Sequence, residues 1–143
     1  MNNNSMTIKF SAISENESFA RSVISCFALR LNPTLSELSD VKTAVSEAVT
    51  NAIVHAYPEG NGQIEMSANI NENSLHIEII DQGVGIENLN QALEPFYTTK
   101  PDEERSGMGF TIMKSFMDEV FVQSNVGIGT KISMTKKIKS NQI

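Results

Sequence analysis

The sequence has few cysteines, no long apolar run and few basic residues. Each of these absences argues against a kind of structure or a class of protein. The single cysteine, Cys26, excludes a disulfide within the chain, which fits a reducing compartment. No apolar run approaches the roughly 18 residues that a membrane-spanning helix needs. Basic residues are outnumbered, with 11 Lys and Arg against 17 Asp and Glu and a net charge of -6. The chain therefore lacks the basic composition of a duplex nucleic-acid binder.

The ends of the chain carry no strong signal. Residues 1–5 lack the basic and apolar regions of a signal peptide, so we expect no secretory leader and a cytoplasmic protein. The basic run of Lys136, Lys137 and Lys139 is interpreted as a solvated end. At 143 residues the chain has the size of one domain, and no repeat or linker divides it. We therefore predict a single domain over residues 1–143, with Cys26 as a small core residue.

The apolar pattern alternates between the period of a strand and that of a helix. Strands are predicted at residues 6–12, 63–70, 75–81, 120–124 and 130–136. Helices are predicted from Ser14 to about Leu31, from Thr34 to about Tyr57, and over residues 109–117. This order predicts an α/β fold in which the helices pack on one face of a mixed sheet.

Both long helices begin with the pattern of a capping box. Glu17 follows Ser14 by three residues, and Glu37 follows Thr34 by the same spacing, so each pair can satisfy backbone N–H groups at a helix start. Apolar residues at helical spacing then predict the faces that pack on the core. These are Phe19, Val23, Phe27 and Leu31 on the first helix, and Leu38, Val41, Val45, Val49 and Ile53 on the second.

The segment from Gln82 to Met108 has no sustained apolar period. It contains glycines, prolines and many polar residues. An irregular segment of this length inside a compact domain usually serves a function. We therefore predict a lid over about residues 82–108.

Three glycine-containing elements stand at predicted element boundaries. They are Asp-Gln-Gly-Val-Gly at 81–85, Arg-Ser-Gly-Met-Gly at 105–109 and Gly-Ile-Gly-Thr at 127–130. Upstream, Glu47 and Asn51 are four residues apart on the second predicted helix, so their side chains share one face. Each feature alone also fits a plain turn or a solvated helix face. Their order along the chain is what indicates a site.

Each of these features has a chemistry that it can perform. Glycines that open a helix let backbone N–H groups approach phosphates. The Asp81 carboxylate can accept a hydrogen bond from an exocyclic amine. The amide oxygen of Asn51 is a hard ligand suited to Mg²⁺, and Glu47 beside such a metal could take a proton from an attacking hydroxyl.

The same elements resemble a known superfamily. Residues 47–55, Glu-Ala-Val-Thr-Asn-Ala-Ile-Val-His, resemble the N box of the GHKL ATPases, and the three glycine elements resemble their glycine boxes. The resemblance covers about residues 42–133. No transducer domain, phospho-accepting histidine helix or membrane sensor is recognisable, which favours the anti-sigma factors that are also serine kinases. Residues 14–21, 95–101, 105–113 and 117–120 closely resemble the sporulation anti-sigma F factors.

The resemblance implies a Bergerat-type (GHKL) α/β sandwich with a mixed, mainly antiparallel sheet, helices on one face and an ATP lid. It also implies that the chain binds ATP or ADP with Mg²⁺. Asn51 would hold Mg²⁺, Glu47 would be the catalytic base, and Asp81 would read the adenine amine with support from Thr130. The remaining residues implied to bind the nucleotide are Gly83 and Gly85 at the base, Thr98, Thr99 and Lys100 on the lid, and Arg105, Ser106, Gly107, Met108 and Gly109 around the triphosphate.

The function implied by the resemblance is a partner switch. The chain would bind sigma F, a sporulation sigma factor of RNA polymerase, and phosphorylate a serine on an anti-anti-sigma protein. Arg21 is a candidate partner-binding residue, although Glu17 four residues earlier also predicts a surface ion pair. A homodimer is expected. Alternatives are a general-stress anti-sigma kinase, an anti-sigma module that binds nucleotide without transferring phosphate, a histidine kinase catalytic domain, and a structural domain whose glycines only form turns.

Overall fold

The computed structural model describes residues 3–94 and 109–139. Within these residues the chain forms one sheet and four α-helices. The strands are β1 (Asn4–Ser11), β2 (Gln63–Asn71), β3 (Ser74–Asp81), β4 (Glu119–Asn125) and β5 (Gly129–Lys137). The helices are α1 (Glu15–Ala28), α2 (Leu35–Asn51), α3 (Leu89–Ala92) and α4 (Gly109–Phe116). A 3₁₀ turn over Leu29–Leu31 follows α1, and a π-helical turn over Ala52–Ala56 follows α2.

The sheet has five strands in the order β1-β2-β3-β5-β4, and each of these neighbouring pairs is antiparallel. This agrees with the mainly antiparallel sheet that was predicted. The register pairs Ile64 of β2 with Asp81 of β3, and Asp81 with Thr130 of β5. The central strand β3 therefore ends beside the start of β5, which places the first and third glycine elements next to each other.

One face of the sheet carries the hydrophobic core. Every second side chain of β2 and β3 is buried, because successive side chains of a strand point to opposite faces. These residues join the buried faces of α1, α2 and α4 in one cluster. On α2 the predicted residues Val41, Val45 and Val49 are fully buried, each contributing about 1.5–3 kcal/mol through burial of apolar surface. The helices thus pack on one face, as predicted.

The core-facing side of α1 agrees with the prediction only in part. Its buried residues are Ala20, Ile24 and Ala28, whereas Phe19 is 47% exposed. Phe19 instead packs edge-on against Phe10 of β1, with ring centroids 6.1 Å apart. Of the other predicted residues, Leu31 is fully buried, and Val23 and Phe27 are partly buried against the core. The prediction was therefore wrong for Phe19, and it missed the small alanines because they contribute little to a count of apolar character. Alanines at the centre allow α1 to approach α2 closely.

One predicted capping box forms and the other does not. The Thr34 hydroxyl accepts from the Glu37 N–H at 3.0 Å, and Glu37 Oε1 accepts from the Thr34 N–H at 2.9 Å. Ser14 has helical backbone angles (φ -55°, ψ -37°) and makes no side-chain cap. A capping residue needs extended angles to direct its oxygen at the first turn, so the Ser14–Glu17 box was a wrong prediction.

Two predictions of exposure were also wrong. Cys26 is exposed, not a core residue, because it lies on the side of α1 opposite the buried alanines. Lys136 is not part of a solvated end, since its side chain is only 14% exposed. Its Nζ lies 3.1 Å from Asp40 Oδ2 and donates to the Phe116 carbonyl at 2.6 Å. Lys136 thereby links β5 to α2 and to the last turn of α4.

The predicted lid is described in its first part only. Over residues 82–94 the chain is irregular except for the short helix α3, in which the Asn88 side chain accepts from the Gln91 N–H at 3.1 Å. The hairpins and the helix that begins at Gly109 agree with the prediction to within two residues at their ends. Among the helices of the described residues, none has the length and apolar character that would carry it across a bilayer.

Candidate functional site

Glu47 and Asn51 meet the start of α4. Both side chains are half-buried near the end of α2. A Cβ atom placed on Gly109 would lie 3.1 Å from Asn51 Nδ2, 3.3 Å from Asn51 Oδ1 and 3.5 Å from Glu47 Oε2. A glycine therefore lets the backbone of α4 begin directly against these two side chains. The fold brings three of the predicted site residues together at one point between two helices.

This point has the electrostatics of a phosphate and metal site. The first N–H groups of a helix have no intrahelical partner and carry partial positive charge. Such groups attract anions. The carboxylate of Glu47 and the amide oxygen of Asn51 supply hard oxygen atoms beside the same helix start. Among the described residues no group of three or more His, Cys, Asp or Glu could hold a metal by itself. Mg²⁺ is commonly held by one or two protein ligands together with substrate phosphates.

Asp81 is the only buried polar or charged residue in the described part of the chain, at 9% exposure. Its Oδ1 accepts from the Gly83 N–H at 3.0 Å and from the Thr130 N–H at 3.2 Å. Burial raises the pKa of this carboxyl, and the two backbone hydrogen bonds oppose the rise. No described residue donates to Oδ2. One oxygen is thus fixed by the fold while the other can accept from a ligand amine.

Thr130 is supported by a residue that the sequence did not single out. Ser124 Oγ lies 2.7 Å from Thr130 Oγ1 across the β4–β5 hairpin and also accepts from the Ile86 N–H at 2.8 Å. Ser124 therefore joins the hairpin to the loop that follows Asp81. The pairing of Ser124 with Thr130 in the hairpin is the signal that could have identified it.

The loop after Asp81 is held against both of its neighbours. The Val84 N–H donates to the Ala56 carbonyl at 2.9 Å, and the Gly127 N–H donates to the Val84 carbonyl at 2.9 Å. Gly85 has φ +76° and lies directly against the Asn125 carbonyl, a conformation and a separation that a side chain would not allow. The first and third glycine elements form one wall around the Asp81 carboxylate.

Comparison with known proteins shows the family to which the chain belongs. Residues 10–136 match the family described as a histidine kinase-like ATPase domain. The chain is 58% identical over 134 residues to the anti-sigma F factor of Clostridium acetobutylicum, covering 94% of each chain. It is 48% identical over 140 residues to the anti-sigma F factor of Bacillus licheniformis, covering 97% of this chain and 96% of that one.

The chain belongs to the anti-sigma F factor family.

Solved structures agree on the fold of this family member. The RsbU and RsbW domains of Rv1364c from Mycobacterium tuberculosis match at a TM-score of 0.68 and 17% identity, covering 94% of this chain and 32% of that one. The chain thus spans about a third of that longer protein. The catalytic domain of histidine kinase ThkA matches at a TM-score of 0.59 and 14% identity, covering 93% and 96% of the two chains. These likenesses confirm the GHKL-type α/β fold.

Membership of an ATPase family implies that the chain binds ATP, and the residues of the site fit that ligand. The Asp81 carboxylate is held through Oδ1, so that Oδ2 can accept a hydrogen bond from an amino group such as that of adenine. The start of α4 offers N–H groups to phosphate oxygens, with Glu47 and Asn51 beside them. The two ends of a nucleotide thus have complementary partners on β3 and on the α2–α4 pair.

Several predicted site residues lie outside the described residues. They are Thr98, Thr99, Lys100, Arg105, Ser106, Gly107 and Met108, and their roles stay predictions. The partner-binding candidate Arg21 lies on α1 rather than on the elements of the nucleotide site. Its Nη1 is 3.6 Å from Glu17 Oε1, so the predicted ion pair is present. Glu17 also accepts from the Ser46 hydroxyl at 3.1 Å and thereby links α1 to α2.

Proposed function

We propose that the chain is an anti-sigma factor and a protein serine kinase. It would bind a sigma factor of the sigma F type and transfer the γ-phosphate of ATP to a serine of an anti-anti-sigma protein. The observation that carries the kinase half is the meeting of Glu47, Asn51 and Gly109 at the start of α4. The sigma-binding half is supported by identity to proteins named anti-sigma F factor over nearly their whole length.

Each residue at the phosphate end has a separate task in this proposal. Asn51 would ligate Mg²⁺ through its amide oxygen, and bound Mg²⁺ would offset charge on the phosphates. Glu47 would accept the proton of the serine hydroxyl as the serine oxygen bonds to the γ-phosphorus and the bond to the ADP oxygen breaks. Glu47 Oε2 faces the start of α4. The carboxylate that would act as the base is therefore close to the end of α4 that would bind the phosphates. Such reactions depend mainly on positioning and charge.

Asp81 would select the base. Its Oδ2 accepts a hydrogen bond from the amino group of adenine, whereas guanine presents a carbonyl oxygen at the corresponding position. Two acceptors facing each other repel, so ATP is preferred over GTP. The Gly83 and Thr130 N–H groups hold Oδ1 and so fix the direction of Oδ2.

As a cytoplasmic homodimer, the chain would choose its partner according to the bound nucleotide. ATP would favour the sigma-binding and kinase-competent state, and ADP would favour a long-lived complex with the unphosphorylated antagonist. A ligand shifts such an equilibrium only by its different affinities for the two states. Arg105 is the proposed contact with the γ-phosphate.

The test is incubation of the purified chain with Mg²⁺, γ-labelled ATP and an anti-anti-sigma protein. We expect label on a serine, none after chelation of Mg²⁺, and little with GTP. Tight ATP binding without transfer would instead identify a non-transferring module, and label on histidine would identify a histidine kinase. The proteins that co-purify with the chain in the presence of ATP should differ from those that co-purify in the presence of ADP. Partner affinities that are the same with either nucleotide would contradict the nucleotide-dependent choice of partner.

Arg21 can be tested as a partner contact by a matched pair of variants. Arg21→Ala removes the exposed guanidinium, while Glu17→Gln removes the ion pair but keeps Arg21. An exposed pair of this kind contributes about 0.3–0.5 kcal/mol to stability. We expect Arg21→Ala to weaken sigma binding at least tenfold and Glu17→Gln to change it little. Equal effects of the two variants on sigma binding would mean that Arg21 acts only through its ion pair with Glu17.

A further inference from the structure

Tyr57 joins two strands at the point where they separate. Its hydroxyl donates to the Gln63 carbonyl at 2.6 Å and accepts from the Gln82 N–H at 2.8 Å. The ladder between β2 and β3 pairs Ile64 with Asp81, so Gln63 and Gln82 would form the next pair. The tyrosine hydroxyl lies between the Gln82 N–H and the Gln63 carbonyl and links the two groups by hydrogen bonds.

The bridged residue Gln82 lies between the two residues that define the base pocket. Asp81 precedes it, and the Gly83 N–H that follows it donates to Asp81 Oδ1 at 3.0 Å. The next residue, Val84, donates to the carbonyl of Ala56 at 2.9 Å. The two consecutive residues Ala56 and Tyr57 therefore hold the start of the loop by one main-chain and one side-chain hydrogen bond.

The position of Tyr57 follows from the way α2 ends. After Asn51 the chain makes a π-helical turn over Ala52–Ala56, and such turns are rare and frequently lie at functional sites. Tyr57 is the first residue after this turn. The end of α2 thus places Asn51 at the proposed phosphate-binding part of the site. The turn that follows α2 places Ala56 and Tyr57 at the proposed base-binding part.

The ring of Tyr57 is fixed as well as its hydroxyl. It lies flat on Gly62, where a Cβ atom would overlap ring atoms on both sides of the ring. The ring is tied at its hydroxyl to Gln63 and Gln82, so it cannot swing aside without breaking those bonds. A side chain at position 62 would therefore displace the bridge.

We propose that Tyr57 is a positioning residue for base recognition: its hydroxyl holds Gln82 so that the adjacent Asp81 carboxylate points at the amino group of adenine. The inference rests on the proposed role of Asp81. Tyr57 does not touch the nucleotide in this proposal, and it acts through the backbone of the loop. The hydroxyl group, and not the aromatic ring alone, carries the effect.

The test is the ratio of ATP to GTP affinity in Tyr57→Phe, which keeps the ring and removes the hydroxyl. We expect ATP affinity to fall about five- to tenfold, which is the size of effect expected when one hydrogen bond is lost. GTP affinity should change less than twofold. Gly62→Ala, which displaces the ring, should shift the ratio in the same direction. Ser18→Ala removes a hydroxyl that donates to the Glu15 carbonyl on α1 and should leave the ratio unchanged.

The outcomes separate this inference from the proposed function. A wild type without preference for ATP over GTP would overturn the role of Asp81 itself. A wild type that prefers ATP, with the full preference kept in Tyr57→Phe, would overturn the positioning role and leave the proposed function intact. Equal losses for ATP and GTP would also overturn it, because they would indicate general loosening. If Tyr57→Phe does not fold, the ratio in Gly62→Ala decides by the same criteria.

Discussion

Gly109 and Asn51 lie close together, although the helices that carry them are far apart in the chain. A Cβ atom at position 109 would lie 3.1 Å from Asn51 Nδ2, closer than side-chain carbons normally approach such an atom. The proposed metal ligand therefore lies directly beside the start of the proposed phosphate-binding helix, with no room for a side chain between them. We therefore expect a side chain added at position 109 to displace Asn51 or the start of the helix.

Gly109→Ala should impair catalysis without weakening the fold. The added methyl group must displace Asn51 or the start of α4 by a few tenths of an ångström, and catalytic sites are sensitive to such shifts. We expect kcat/KM to fall roughly tenfold, and Mg²⁺ dependence to move to higher concentrations. Alanine is a better helix former than glycine, so Tm should not fall. Lys114→Ala on the exposed side of α4 is the control, and activity equal to wild type in Gly109→Ala would contradict the proposed geometry.

Asp81→Asn should lose adenine selectivity. The amide oxygen can still accept from the Gly83 and Thr130 N–H groups, but the NH₂ group that replaces Oδ2 cannot accept from adenine. The loss of a charge-assisted hydrogen bond costs about 1.5–3 kcal/mol. Calorimetric titration with ATP and GTP measures the effect. Unchanged ATP affinity would remove Asp81 from the base pocket.

The same variant should gain stability relative to wild type as the pH rises from about 4 to neutral. Because burial raises the pKa of Asp81 above its ordinary value of 3.8, the folded state holds the proton more tightly than the unfolded state. Folding stability is therefore lost as pH rises from about 3.8 through the folded-state pKa. The amide of the variant has no proton to lose, so the stability of Asp81→Asn relative to wild type should be highest at neutral pH and fall towards about pH 4. Thermal unfolding across this range, without nucleotide, measures it, and a constant difference would contradict the buried-carboxylate explanation.

Glu47→Gln should separate binding from chemistry. The amide keeps the size of the side chain but cannot accept the serine proton at neutral pH, and removal of a general base typically costs about 10²–10⁴-fold in rate. We expect ATP affinity near that of wild type, with phosphorylation of the anti-anti-sigma protein nearly abolished. Glu65→Gln, on β2 and paired with Lys9 at 3.8 Å, removes a carboxylate elsewhere as a control. Full activity of Glu47→Gln would show that positioning alone suffices.

Lys136→Met should destabilise the fold. The substitution leaves Asp40 Oδ2 and the Phe116 carbonyl without their shared donor, and loss of a partly buried charged partner costs about 2 kcal/mol. Lys137→Met changes an exposed neighbour and should have little effect. Urea unfolding of Lys136→Met, Asp40→Asn and the double variant gives the coupling energy between the two charges. A coupling near zero would mean that the Phe116 carbonyl is the important partner.

The sequence by itself determined the elements and their order. Alternation on β2 and β3, helical spacing on α2 and the Thr34–Glu37 box are local patterns, and each one formed as predicted. Glu47 and Asn51 share a helix face because four residues make about one turn. Asp81 stands at a predicted strand end. These properties depend on neighbours along the chain, so they can be determined from the sequence.

Only the tertiary structure decided how distant residues meet. The close approach of Gly109 to Asn51, the Ser124–Thr130 hydroxyl pair and the Tyr57 bridge to Gln82 join elements that come together only after the sheet and helices pack. The same packing decided which side of α1 is buried, and therefore why Cys26 is exposed. It also placed Lys136 of β5 against Asp40 of α2 and Phe116 of α4, which is why Lys136 is not exposed. Burial and long-range hydrogen bonds depend on which surfaces face each other, and local periodicity does not contain that information.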